Sequence, residues 1–65
     1  MKTQKISFRF TESNGLHSID KMQFCASITT DECISKWWAK RVNQFAKMAR
    51  PMPISLEETE VCYVG

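Results

Sequence analysis

The chain has 65 residues, 43 % of them hydrophobic and 25 % charged, and a net charge of +2. A chain of this length buries only about 60 % of its unfolded surface, so it makes one small domain over residues 1–65 with a thin core. The composition excludes a disordered, collagen-like or low-complexity chain, and no stretch approaches the roughly 18 apolar residues of a membrane span.

Lys5 to Phe10 alternates strictly, with Ile6, Phe8 and Phe10 on one side and Lys5, Ser7 and Arg9 on the other, the pattern of a half-buried strand. Asn14-Gly15 follows, a strong hairpin signal because both residues tolerate positive φ. A second alternation puts Met22, Phe24, Ala26 and Ile28 inward. A two-residue turn at Asn14-Gly15 would set Ile6 opposite Gln23 and Phe8 opposite Lys21. A three-residue Ser13-Asn14-Gly15 loop instead sets Ile6 opposite Met22; a bulge near Asp20-Lys21 would also reset the phase. The hairpin is therefore expected over residues 4–28, with an irregularity between Leu16 and Lys21.

Thr29-Thr30-Asp31-Glu32 reads as a helix start, with a threonine cap, Glu32 placed as in a capping box and acids at the positive end. The helix is expected over residues 30–50, because Pro51 and Pro53 forbid its continuation. At about 100° per residue, Ile34, Trp37, Trp38, Val42, Phe45, Met48 and Ala49 share one wide apolar arc. Lys36, Lys40 and Lys47 fall opposite, with Asn43 beside them. Ile54–Glu60 reads either as extended chain or as a short helical turn, and Val61–Val64 as a C-terminal strand over about 61–64. The expected fold is α+β: a small ββαβ domain, its antiparallel sheet covered on one face by one amphipathic helix.

Three cysteines cannot all pair within one chain, and Met1–Ile6 has no apolar segment to serve as a signal peptide; the expected compartment is the cytoplasm, with reduced thiols. His17, Cys25, Cys33 and Cys62 together would make a Cys3His zinc set. They lack a C-x2-C pair, so plain thiols and no cofactor are the favoured reading. A single histidine and the lack of a glycine-rich phosphate loop argue against an enzyme.

The candidate binding residues lie on the helix. Arg41 falls inside the apolar arc between Trp37 and Phe45. Either its stem is packed and its guanidinium reaches an acid such as Glu57 or Glu58, or it stacks with an exposed Trp37 and offers the pair to a partner. Adjacent tryptophans diverge by about 100°; Trp38 is expected in the core and Trp37 at the surface. Lys36, Lys40, Lys47 and Arg50 form a basic row suited to an acidic protein or to phosphate. The second candidate is the exposed sheet face around Arg9, Gln23 and Cys25.

The opening Met1-Lys2-Thr3-Gln4-Lys5-Ile6, the hairpin, the helix start at Thr30–Cys33 and the missing targeting signal resemble short accessory proteins of bacteriophages and prophages, some of them enterobacterial. The resemblance covers the whole chain in style. It implies a cytoplasmic protein that binds and inhibits or modulates a host protein or complex, such as a restriction enzyme, a CRISPR effector, a nuclease, a polymerase or a toxin–antitoxin component. The alternative is a small nucleic-acid-binding regulator using the basic helix face. A homodimer joined at an open strand edge is a third reading.

Overall fold

The computed structural model describes residues 2–64. Three strands and one helix follow one another as β1 (Thr3–Glu12), β2 (His17–Cys25), α1 (Thr30–Met48) and β3 (Pro53–Val64). The strands form one antiparallel sheet in the order β2-β1-β3. β2 and β3 therefore run parallel on either side of β1, a relation that needs a crossover connection, and α1 supplies it. The expected ββαβ order and single-helix α+β class are observed.

The hairpin takes the three-residue alternative. Ile6 lies opposite Met22 and Phe8 opposite Asp20, in an unbroken register from Thr3↔Cys25 to Thr11↔His17. The Glu12 N–H donates to the Leu16 carbonyl (2.8 Å) and the Gly15 N–H to the Glu12 carbonyl (2.9 Å). Gly15 closes the loop at φ 87°, the left-handed position that a three-residue hairpin loop assigns to glycine. The expected irregularity between Leu16 and Lys21 is absent; the polar residues Ser18 and Asp20 face inward instead. β2 also stops at Cys25, short of Ile28. The buried Gln4 side chain donates to the carbonyls of Cys25 (3.0 Å) and Ile28 (2.7 Å), holding a turn that leads straight into α1.

Thr29 is the N-cap, its hydroxyl accepting from the Glu32 N–H at 3.3 Å. The helix ends at Met48, two residues earlier than expected, because Ala49 turns left-handed (φ 54°, ψ 31°) with its N–H still bonded to the Phe45 carbonyl. β3 is the larger departure: residues 54–60 are extended throughout, so the strand spans Pro53–Val64 and not 61–64 alone. The free edge of β1 offers backbone partners along this whole length, and sheet pairing overrides the local helix-start signal at Ser55–Glu58. Register shifts between Arg9 and Phe10 and between Thr11 and Glu12 interrupt the pairing.

The core is a single layer between sheet and helix. Ile6, Phe8 and Phe10 of β1 are buried with Cys33 and Trp37 of α1. The Trp37 ring stacks on Phe8 (centroids 5.1 Å, planes 9° apart) and tilts against Phe10 at 5.2 Å, contacts worth about 0.5–1.5 kcal/mol each beyond their buried area. Ile34, Trp38, Leu56 and Val61 close one side, and Met22, Phe24 and Ile28 the other.

Alanine in the left-handed region is strained. Ala49→Gly is expected to raise stability by about 0.5–1 kcal/mol, read as a higher urea midpoint at unchanged slope.

Candidate functional site

The inward-facing Asp20 organises the polar part of the interior. Its Oδ2 accepts from the Trp37 indole Nε1–H at 3.0 Å, and both its oxygens accept from the Lys40 Nζ at 3.1–3.2 Å. The Arg41 guanidinium stands 3.8 Å from Oδ2. Arg41 also donates from Nη2 to the Pro51 carbonyl at 3.0 Å and lies over the Phe10 ring, 4.9 Å from its centroid. One side chain thus joins α1 to β1, to β2 and to the connection that leads into β3. A planar, weakly hydrated guanidinium suits such a place better than an ammonium.

This arrangement corrects the site expected on the helix. Trp37 is 0 % exposed and Arg41 only 4 %, so in this fold neither presents a surface to a partner. The exposures of the two tryptophans are the reverse of the expectation: Trp37 points down between Phe8 and Phe10, while Trp38 is half-buried at the side. The cause is Asp20, which draws the Trp37 indole inward. Arg41 meets Asp20 and not Glu57 or Glu58, because β3 turns both glutamates to the opposite face of the sheet. Of the basic row, Lys40 is committed to Asp20, whereas Lys36, Lys47 and Arg50 are exposed.

The face of the sheet away from α1 carries the second candidate group. Arg9 and Gln23 are exposed there together with Cys25. Arg9 pairs with Glu58 at 3.0 Å. The register shift beside Glu58 lets Glu57 share this face, where it accepts a short hydrogen bond from the Thr11 hydroxyl and lies 3.1 Å from His17 Nδ1. The Thr11 hydroxyl, with His17 and Arg9 nearby, holds the Glu57 carboxyl below its ordinary value. Arg9, His17, Ser18, Ile19 and Glu57 line a shallow hollow of about 370 Å³.

The four residues of the zinc set are not brought together. His17 and Cys25 stand at opposite ends of β2, roughly 26 Å apart at strand rise. Cys33 is buried on the inner face of α1, and Cys62 lies on β3 with β1 between it and Cys25. The Ser27 hydroxyl, 3.2 Å from Cys25 Sγ, pulls that thiol below its ordinary value, while burial pushes Cys33 up.

Asp20 and Gln4 were missed as interior polar residues. The signal for Asp20 was present as the apparent break in alternation between Leu16 and Lys21. Comparison with protein-family models, with curated proteins and with solved structures finds no match for the chain.

Removing the carboxylate strands a buried guanidinium and an indole N–H, so Asp20→Ala is expected to cost about 3 kcal/mol. Lys40→Met, at a partly exposed position, is expected to cost under about 1 kcal/mol; equal losses in urea denaturation would contradict this ranking. In the folded protein Cys25 and Cys62 should react with a maleimide and Cys33 should not. Cys25 should keep reacting with iodoacetamide at pH values where an ordinary thiol has stopped.

Proposed function

We propose that the protein acts by binding and not by catalysis: it is a small interaction module that inhibits or modulates a larger host protein assembly, in the manner of the phage accessory proteins it resembles. The observation that carries this reading is the uncovered face of the sheet. α1 covers only one side, and on the other side charge is divided across the strands. Lys5, Arg9 and Lys21 are exposed on β1 and β2, and Glu57, Glu58 and Glu60 on β3. A surface divided in this way selects a protein partner of the reciprocal pattern, since complementary potentials set orientation and reject wrong partners. It also disfavours a phosphate backbone, because three carboxylates lie beside the cations. Ile19, 61 % exposed next to the hollow, supplies an apolar contact within the charged field.

The test is a tagged pull-down from bacterial lysate, with and without nuclease, repeated with Lys5→Glu plus Lys21→Glu. One stoichiometric protein should survive nuclease, and the double variant should bind it at least about tenfold more weakly at unchanged far-UV circular dichroism. Recovery that collapses with nuclease and falls steeply with salt would transfer the function to nucleic acid and to Lys36, Lys47 and Arg50.

A further inference from the structure

The sheet has two outer edges, and they are chemically unlike. The Glu12 N–H bonds to the Leu16 carbonyl, so the even-numbered residues of β1 aim their backbone groups at β2 and the odd-numbered ones at β3, because the direction alternates along an antiparallel strand. The two registers then assign the outer edges. On β2 the backbone groups of Ile19, Lys21 and Gln23 point away from the sheet; on β3 those of Thr59, Val61 and Tyr63 do. β2 is closed at its centre. The Lys21 N–H, the middle donor of that edge, is taken by Oδ1 of Asp20 at 3.0 Å. The same Asp20 sets a charge on the inner side of the edge strand, a device that discourages further pairing. β3 carries no such guard between Glu58 and Val64. Its register shifts lie at the other end of the strand, which leaves Glu58–Val64 a regular run of seven residues without proline or glycine, charged only at Glu58 and Glu60.

We infer that this open edge pairs with the same edge of a second copy, β3 antiparallel to β3 about a two-fold axis at Val61, to give one six-stranded sheet. Charge selects the axis. An axis at Glu60 sets Glu60 against itself, and an axis at Thr59 sets Glu58 against Glu60; like charges directly opposite are destabilising. An axis at Val61 has neither fault and uses the whole run: Thr59 faces Tyr63, Glu60 faces Cys62 and Glu58 faces Val64. Thr59 with Tyr63 is a β-branched–aromatic pair of the favoured kind, and it gives a neighbour to Tyr63, 71 % exposed in the single copy. The N–H and C=O groups of Thr59, Val61 and Tyr63 in the two copies make about six backbone hydrogen bonds.

The unlike edges make a second copy the occupant that fits. Pairing β3 with β3 consumes both open edges and leaves β2, closed by Asp20, on each outside, so association ends at two chains and builds no filament. Lys40 turns one flank of α1 toward β2; the opposite flank, with the half-buried Ile34 and Trp38, lies on the β3 side. An axis normal to the sheet puts both helices on one face with these flanks toward each other. The pairing stands apart from the host-partner reading, and it has a consequence for that surface. The acidic β3 strands of the two copies meet at the centre of the uncovered face, with the basic strands outside them.

Sedimentation equilibrium of the full chain under reducing conditions tests this, together with amide exchange over the same concentrations. The mass should rise from 7.5 kDa toward twice that value, with a dissociation constant on the order of 100 µM for so small an interface. The amides of Thr59, Val61 and Tyr63 should gain protection as it does. Cys62 is exposed on the outer face and faces Glu60 of the second copy, so two variants at this one site should act in opposite directions. Cys62→Lys should tighten the dimer about fivefold and Cys62→Glu should weaken it about fivefold, each through two symmetry-related cross-strand pairs. Within one copy Cys62 lies opposite Lys5, so any effect on the fold itself runs the other way and is read separately from the melting of dilute protein. A chain still monomeric at about 1 mM, ten times the expected constant, would overturn the proposal. So would a dimer in which protection rises on β2 or α1 instead of β3, or in which the two variants shift the constant in the same direction or leave it unchanged.

Discussion

The carboxylate of Asp20 sets the position of the helix on the sheet. It lies on the inner face of an edge strand, where an apolar residue would ordinarily be found, and takes the Trp37 indole N–H and the Lys40 ammonium directly, with the Arg41 guanidinium beside them. These three side chains occupy about one turn of α1. Holding them at one point fixes the rotation of the helix about its axis, and rotation decides everything the helix shows to solvent. With Trp37 turned down onto Phe8 and Phe10, Trp38 is left at the side, and Val42 and Phe45 lie outside the core. Desolvating such a cluster is costly, and replacing buried ion groups by apolar ones is often neutral or stabilising. What the cluster contributes here is a specified orientation, which a slab of apolar side chains alone would define less sharply.

Much of the fold was legible in the sequence because its local signals agree with its tertiary contacts. The alternation of Ile6, Phe8 and Phe10 survives as the buried face of the central strand. Of the two ways of bringing the alternations into phase, a three-residue loop or a bulge near Asp20-Lys21, the loop is the one observed, with Ile6 opposite Met22. Thr29 caps the helix where the sequence places the cap. Two features depended on partners distant in the chain, and a third on a local backbone turn. β3 begins at Pro53 because β1 has an unfilled edge, a fact that no local pattern of Ile54–Glu60 contains. β2 ends at Cys25 because Gln4, 21 residues earlier, takes the Cys25 carbonyl. The helix stops at Met48 through a left-handed alanine, a conformation that alanine does not advertise.

The candidate site was less legible than the fold, and for one reason. Helical periodicity locates an arc of apolar residues but not its centre. An arc running from Ile34 through Val42 to Ala49 is wider than one sheet can cover, so part of it must remain outside. Without knowing that Asp20 points inward, the odd residue in the arc was Arg41, open to two readings: a packed stem with its guanidinium on an acid, or a pair with an exposed Trp37. The structure exchanges the roles. Trp37 and Arg41 are internal, and what the fold leaves exposed is the charge-divided face of the sheet and the outer side of α1. With the helix covering one face of the sheet, those two surfaces lie on opposite sides of the molecule.

The orientation of α1 by Asp20 is tested most directly by amide and indole hydrogen exchange in a two-dimensional ¹H–¹⁵N spectrum. The indole Nε1–H of Trp37, hydrogen-bonded to Asp20 and fully buried, should exchange much more slowly than that of Trp38, and Asp20→Asn should perturb the Trp37 resonance far more than the Trp38 one. If Trp38 carries the protected indole and the substitution leaves Trp37 unmoved, the helix is rotated from the position described, and the assignment of both its buried and its exposed face is wrong.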